Sequence, residues 1–225
     1  MAHITYKLKN KVVPSVTTIL SRFKNSTGLI IWANNLGLEG KKYHNELNKA
    51  ANIGSDLHEL AQLYIEDSKH DRPLYQKNFY NEALQDPIVL NCFNKFLSWW
   101  NEYKQENLEV IFCEKSFISK KFLYGGTADL LIKKNNEYVL VDFKTSKSIY
   151  PDYLIQGSAY KQMIEEKYDY KINKFLVARF GKETDDFEIK EFSLDKIKTA
   201  FDYFKILRKA FDLDKKLTKL TKESK

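Results

Sequence analysis

Asp129, Asp142 and Lys144 have the residue types and the spacing to hold a divalent cation. All three lie in the segment TADLLIKKNNEYVLVDFK, residues 127–144, which reads as two apolar strands. Like charges placed opposite each other on such strands are unfavourable. A divalent cation bound by carboxylate oxygens would offset them more completely than Lys144 alone. The segment therefore indicates a metal site.

A tight turn at residues 135–136 determines whether the two carboxylates meet. Two asparagines tolerate the left-handed backbone of a two-residue hairpin turn, so Asp129 is predicted to lie opposite Asp142. Because side chains alternate along a strand, Lys144 shares that face and Phe143 points to the other side. The predicted pairs nearer the turn are Lys134 with Glu137, Lys133 with Tyr138 and Leu131 with Leu140. A register shifted by one residue would instead leave Asp142 and Lys144 as a solvent-exposed charge pair.

Four short segments resemble the motifs of RecB-like nucleases of the PD-(D/E)XK superfamily. They are GSDLHELAQ (54–62), GGTAD (125–129), VDFKTSK (141–147) and QGSAY (156–160), and they occur in the family order over about half of the chain. Each segment is weak evidence alone, whereas the ordered set is specific. The opening VPSVTTIL, followed by Trp32, further resembles the mitochondrial genome maintenance exonuclease and related phage-type single-strand exonucleases.

The resemblance implies phosphodiester hydrolysis at a Mg²⁺ or Mn²⁺ site. The implied metal ligands are His58, Asp129, Asp142 and the backbone carbonyl of Phe143, and the implied catalytic residues are Lys144, Asp142, Asp129 and Glu114. Oxygen-rich ligation suits either ion. The ion would polarise the scissile phosphate, while Lys144 would position the attacking water or stabilise charge that develops on the phosphate. The number of ions remains open at this point.

The same resemblance implies substrate-binding or supporting roles for Gln156, Tyr160 and Thr145. Gln156 and Tyr160 are four residues apart and therefore share one face of a helix. Simpler interpretations stand beside these: the Gln156–Tyr160 pair could serve helix packing, His58 could be a partly buried helical histidine, and Glu114 could form a surface salt bridge.

Composition favours a protein that carries its own hydrophobic core and binds a polyanion. The 225 residues are 43% hydrophobic, and the formal net charge is +7. Cys92 and Cys113 are too few for a four-cysteine iron–sulphur cluster, and we expect both to be reduced core thiols. The sequence contains no signal-like h-region and no apolar run of about 18 residues, so we expect a cytoplasmic protein that does not bind membranes, in the host cytoplasm if it is phage-encoded.

Periodicity predicts an α/β fold in which a small mixed sheet is flanked by helices and by an N-terminal helical region, and the family resemblance implies that the core is restriction-endonuclease-like. We expect one nuclease domain over residues 1–225: a mainly helical part at 1–105, including a long amphipathic run at 81–104, the sheet core with closing helices at 106–213, and a Lys-rich tail at 214–225 that frays. Residues 67–77 read as a surface loop. Core packing is the expected role of Trp32, Trp99 and Trp100.

The function that these observations favour is a metal-dependent DNA exonuclease that prefers single-stranded ends, acting in replication, recombination or DNA processing. Two alternatives remain. The same site could belong to a structure-selective or nicking DNA endonuclease, because the fold does not determine how the substrate enters. The chain could also be a nucleic-acid-binding module without catalysis, although the intact acidic and basic residues argue against it.

Overall fold

The computed structural model describes residues 4–67, 78–104 and 107–222 of the chain. Its centre is a five-stranded sheet in the order β3-β4-β5-β6-β7. The strands are β3 (Leu108–Ser119), β4 (Tyr124–Lys134), β5 (Glu137–Lys144), β6 (Ile172–Phe180) and β7 (Phe187–Phe192), and a separate hairpin is formed by β1 (Lys7–Leu8) and β2 (Lys11–Val12). β5 and β6 are parallel, whereas the other neighbours in the large sheet are antiparallel.

Helices cover both faces of this sheet. They are α1 (Val16–Phe23), α2 (Thr27–Leu38), α3 (Tyr43–Asp67), α4 (Asn78–Ala83), α5 (Pro87–Tyr103), α6 (Pro151–Lys167) and α7 (Leu194–Leu220). Side chains from α1, α6 and α7 pack on one face, and side chains from α3 and α5 pack on the other. The predicted fold class is thereby confirmed: α/β, with a small mixed sheet, flanking helices and a helical N-terminal region.

The β4–β5 hairpin has the predicted turn and register. Asn135 and Asn136 both adopt a left-handed backbone, with φ of 50° and 65°. The ladder runs from the Lys134–Glu137 pair to the Leu130–Val141 pair, as the turn predicts. Leu131 and Leu140 face α6, whereas Leu130 and Val141 face the aromatic side chains of α3 and α5. This alternation places Asp129, Asp142 and Lys144 at the end of the hairpin.

The crossover from β5 to β6 is made by α6, which Pro151 opens at its first position. A helix is the usual way to connect two parallel strands, and it brings Gln156 and Tyr160 back over the sheet. The helix lies very close to β6 at Gly157, where an added Cβ would stand 2.1 Å from the ring of Phe175. Glycine is required there for the close approach.

Three local predictions were wrong. The run at 81–104 is two helices rather than one, because Asp86 accepts a hydrogen bond from the Ile88 N–H and Pro87 starts α5. The tail predicted to fray continues α7 as far as Leu220. Trp32 is 36% exposed and contacts Tyr43 edge-on, whereas Trp99 and Trp100 are buried as expected.

The remaining features include a hairpin that was not predicted and a predicted loop that the structure does not describe. The β1–β2 hairpin was not anticipated, and the predicted loop at 67–77 lies outside the described residues except for Asp67, which ends α3. Cys92 is buried and Cys113 is partly buried. Among the described residues, no helix is both long and apolar enough to cross a bilayer.

Candidate active site

The end of the β4–β5 hairpin brings two carboxylates and a lysine together. Asp129 and Asp142 are both buried, and Lys144 Nζ lies 2.5 Å from Asp142 Oδ2. Asp129 Oδ2 accepts a hydrogen bond of 2.7 Å from the Phe143 N–H, just beyond the last ladder pair. Asp129 is thus anchored by the backbone of the neighbouring strand. The two carboxylates and the lysine lie together, as the register predicts.

His58 reaches this cluster from α3. Its Nδ1 lies 3.0 Å from Glu114 Oε1 and 3.6 Å from Asp129 Oδ2, and its Nε2 lies 3.0 Å from the backbone oxygen of Phe143. The apolar residues Leu57 and Leu60 are fully buried and fix this part of α3 against the sheet. His58 is therefore a buried helical histidine that is also part of the polar cluster.

Glu114 joins the cluster through a distorted strand. It adopts a φ of 43° and lies between two ladder pairs, Cys113 with Leu130 and Lys115 with Ala128. A left-handed backbone is unfavourable for a residue with a β-carbon and is retained where the surroundings impose it. Its carboxylate contacts His58 rather than a surface cation, so the surface salt bridge considered as an alternative is not its contact here.

The charges of the cluster shift one another's pKa values. Burial opposes the charged form of His58, but Asp129 and Glu114 outweigh it and raise the His58 pKa to about 9. Burial, followed by the nearby Asp129 charge, raises the pKa of Asp142 to about 6. Burial also raises the pKa of Asp129, whereas Lys144 keeps a raised pKa because Asp142 and Asp129 outweigh its burial. The cluster thus contains three carboxyl groups and only two cationic side chains, those of His58 and Lys144.

The residues present fit a divalent cation. One donor atom each from His58, Glu114 and Asp129 lies within 4.8 Å of the others, a separation that a single ion could span. Asp142 stands outside that group, yet its two oxygens are buried and neither makes a well-formed hydrogen bond, so the ion pair with Lys144 is its main compensation. Carboxylate oxygens are common ligands of divalent cations, and the imidazole nitrogen of His58 is a further donor. An ion would also relieve the excess of negative charge.

A cavity of about 820 Å³ opens onto the cluster. His58, Glu114 and Asp129 form part of its wall, and the N-terminal segments around Tyr6 and Ser15 form another part. The hydroxyl groups of Tyr6 and Thr127 lie 2.9 Å apart, which joins the β1–β2 hairpin to β4 beside Asp129. His58, Glu114 and Asp129 are therefore accessible from this cavity, whose wall carries several hydroxyl groups, whereas Asp142 and Lys144 do not line it. That wall also contains Pro14, Thr17, Thr18, Gln62, Phe211 and Lys215.

The predicted supporting residues lie next to the cluster. Gln156 Nε2 donates to Tyr160 Oη at 2.6 Å, and Tyr160 is a wall residue of the cavity. Burial raises the pKa of Tyr160 well above its usual value, which keeps the phenol protonated. Thr145 Oγ1 would stand 3.3 Å from a Cβ added at Gly54, so α3 passes very close to the strand end that follows Lys144.

Two residues near the cluster were missed by sequence reasoning. The Tyr153 ring centroid lies 5.0 Å from Lys144 Nζ, a cation–π distance. The buried Arg179 on β6 donates to the backbone oxygen of Ser146 at 3.2 Å and pairs with Asp186. An arginine inside the apolar run KFLVARF was the available signal for Arg179, since a buried arginine needs partners. Tyr153 had no comparable signal.

Comparison with known proteins finds neighbours among solved structures. No family model matches it, and no curated protein matches it. A crystal structure of a provisionally named exonuclease from Eubacterium rectale is 13% identical, covers 72% of this chain and 68% of its own, and has a TM-score of 0.44. The structure of SSO0001 is 16% identical, covers 68% of this chain and 74% of its own, and has a TM-score of 0.33. Both TM-scores are low, so the function proposed below rests on the site and its motifs.

Proposed function

We propose that the chain is a metal-dependent deoxyribonuclease, an exonuclease that hydrolyses phosphodiester bonds from single-stranded DNA ends. The observation that carries this proposal is the buried acidic cluster, in which Asp129 and Glu114 line an open cavity and the Asp142 oxygens lack well-formed hydrogen bonds. Buried carboxylates without full compensation cost stability, so they are retained where function needs them. The ordered nuclease-like motifs support the same reaction.

Each polar residue then has a role that its surroundings allow. His58, Asp129 and Asp142, with the Phe143 carbonyl and with Glu114 as a further carboxylate, would hold a Mg²⁺ or Mn²⁺ ion. The bound ion would supply Lewis-acid polarisation of a phosphate and a lowered pKa for a coordinated water. Asp142 holds Lys144 by its ion pair, and Tyr153 limits the positions of the ammonium group. Lys144 retains its proton and can stabilise negative charge on the scissile phosphate.

Substrate contacts would come from the wall of the cavity and from α6. Gln156, Tyr160 and Thr145 would brace the strand end or contact the DNA. The resemblance of VPSVTTIL, part of which lines the cavity, to single-strand exonucleases supports a preference for single-stranded DNA. The net charge of +7 favours association with the phosphate backbone. We propose that residues 1–225 act as one nuclease domain in the cytoplasm.

Cleavage of end-labelled linear and circular single-stranded DNA tests this proposal. Wild type, Asp142→Asn and the exposed matched control Asp185→Asn would be compared with Mg²⁺, Mn²⁺ or EDTA, and a linear RNA of the same sequence would test the sugar preference. We expect metal-dependent loss of linear DNA that only Asp142→Asn abolishes. Cutting of circles would show an endonuclease, and preference for RNA would contradict the deoxyribonuclease. A folded wild type that cuts none of these substrates would indicate a binding module.

A further inference from the structure

Helix α7 carries two separate apolar seams. Its buried seam packs against the sheet and α6, and contains Ile197, Ala200, Phe204, Leu207 and Phe211. The second seam contains Tyr203, Ile206, Ala210, Leu213 and Leu217, which follow one another at intervals of three and four residues. On a helix with 3.6 residues per turn, these positions form a stripe roughly a third of a turn away from the buried one.

The second seam faces solvent. Tyr203 is 50% exposed, Ile206 64%, Leu213 52% and Leu217 62%. Such large apolar side chains are ordinary on a surface when they are scattered singly, whereas a continuous stripe marks an interaction surface. The alternating three- and four-residue spacing is the a/d pattern of a coiled coil. A helix that only covered the sheet would need the first seam alone.

We propose that the second seam pairs with the same seam of a second copy of this chain, as a short parallel two-stranded coiled coil. With Tyr203, Ala210 and Leu217 at the a positions, Lys209 occupies a g position and Asp214 the following e position. In a parallel pair, Lys209 of one copy therefore lies against Asp214 of the other, whose carboxylate also accepts from Arg22 of its own chain at 2.8 Å and so contacts both cations. The chain thus supplies its own charge complementarity as well as its own apolar surface.

The seam's width favours a helical partner over a membrane surface. Outside the buried seam only two positions in each heptad are apolar, and the exposed charges Asp202, Lys209 and Lys216 border the stripe on one side. A helix lying in a membrane interface needs a broader apolar face. From Tyr203 to Leu217 the seam is about 21 Å long. Two such helices bury an area at the low end for specific interfaces, about 1,000 Å² in total, which predicts a weak, concentration-dependent dimer.

Sedimentation equilibrium of the full chain tests the pairing. We expect the wild type to pass from monomer to dimer between low micromolar and high micromolar concentration. Leu213→Glu combined with Leu217→Glu should raise the dimer dissociation constant at least about tenfold, because buried unpaired charge opposes association. Leu38→Glu on α2 changes a residue that is 81% exposed but lies off the seam, and should leave the constant unchanged. Circular dichroism would verify that each variant is folded.

Charge reversal tests the parallel arrangement. Lys209→Glu should raise the dissociation constant about two- to fivefold, and adding Asp214→Lys together with Arg22→Glu, which keeps an ion pair within each chain, should restore it. A wild type that stays monomeric throughout, or a dimer that the Leu213→Glu, Leu217→Glu variant leaves intact, would overturn the proposal. So would seam-dependent binding of the monomer to phosphatidylserine-containing vesicles, which would assign the surface to membranes instead.

Discussion

Lys144 on β5 and Arg179 on β6 are register partners on neighbouring parallel strands, yet their surroundings differ in one respect. Arg179 has full compensation: Asp186 lies 2.5 Å away, Glu188 lies 3.4 Å away, and the backbone oxygen of Ser146 accepts a third contact. Lys144 has Asp142 as its ion-pair partner, and Asp142 in turn lacks well-formed hydrogen bonds.

The charges around Arg179 and those around Lys144 are therefore compensated to different degrees. Around Arg179 the two acidic groups are partly exposed, so water shares the cost of their charge. Around Lys144 the carboxylates are buried, and burial raises the pKa of both aspartates. A compensated set stabilises the fold, whereas an undercompensated set can bind a cation or a substrate. This difference predicts opposite responses to mutation.

The largest expected effect is on catalysis at the undercompensated set. Asp142→Asn and Lys144→Met should each lower the cleavage rate at least about a thousandfold, because each removes a charged group from the proposed reaction centre. Asp142→Asn should leave the melting temperature unchanged or raised, since it removes a buried carboxylate whose pKa is already raised. Single-turnover cleavage and thermal unfolding of the same preparations measure both. A variant that kept its rate would remove Asp142 or Lys144 from the chemistry.

The next effect is on stability at the compensated set. Arg179→Met should lower the free energy of unfolding by about 2–4 kcal/mol, because the Ser146 contact and both ion pairs are lost from a buried position. Urea denaturation measures the change. Lys174→Met is the matched control, since its pair with Glu137 is partly exposed, and it should change the value by no more than about 1 kcal/mol. A loss for Arg179→Met of no more than about 1 kcal/mol, as small as that of the control, would show that Arg179 is not a structural residue.

The third effect concerns pH in the absence of metal. His58 has a folded pKa of about 9, above its ordinary value of 6.5. The stabilisation that protonated His58 gives to the folded state is therefore complete below about pH 6.5 and is lost as pH rises through about 9. With EDTA present, we expect the wild type to lose about 2 kcal/mol of unfolding free energy between pH 7 and 9.5, relative to His58→Gln.

The stabilisation conferred by Mg²⁺ should show the opposite dependence on pH. An imidazole must be neutral to bind a metal ion, so the stabilisation conferred by Mg²⁺ should increase with pH over the same window. Thermal unfolding with Mg²⁺ and with EDTA at each pH gives the difference directly. A difference that does not depend on pH would argue against His58 as a ligand.

Sequence patterns predicted the elements that position the site, because those patterns are local. The Asn135–Asn136 turn fixed the register of β4 and β5, and alternation along the strands then placed Asp129 and Asp142 together. The contact between Glu114 and His58 joins residues 56 positions apart and depends on a left-handed strand residue. No local periodicity encodes such a contact, and the family resemblance suggested a role for each residue separately but not the contact between them.

Other features were hidden by competing signals. The β1–β2 strands have two residues each, too short to show an alternating pattern. The C-terminal part of α7 is Lys-rich, and this composition concealed the regular spacing of its leucines. For the run at 81–104 the sequence did contain the boundary signal. An Asp-Pro pair at residues 86–87 starts a new helix at Pro87 and so divides the apolar run into α4 and α5.

The smallest expected effect lies beside the undercompensated set, at the Gln156–Tyr160 hydrogen bond. Gln156→Leu removes the 2.6 Å contact and leaves the Tyr160 hydroxyl to find another partner. We expect cleavage to fall by about three- to tenfold and the free energy of unfolding to fall by about 1 kcal/mol, the usual net value of one hydrogen bond. Tyr160→Phe should reproduce the loss of rate, and combining the two changes should add little, because both remove the same contact. A steady-state analysis of both variants separates binding from chemistry. Full additivity would mean that the glutamine and the tyrosine act on the DNA independently rather than as one brace.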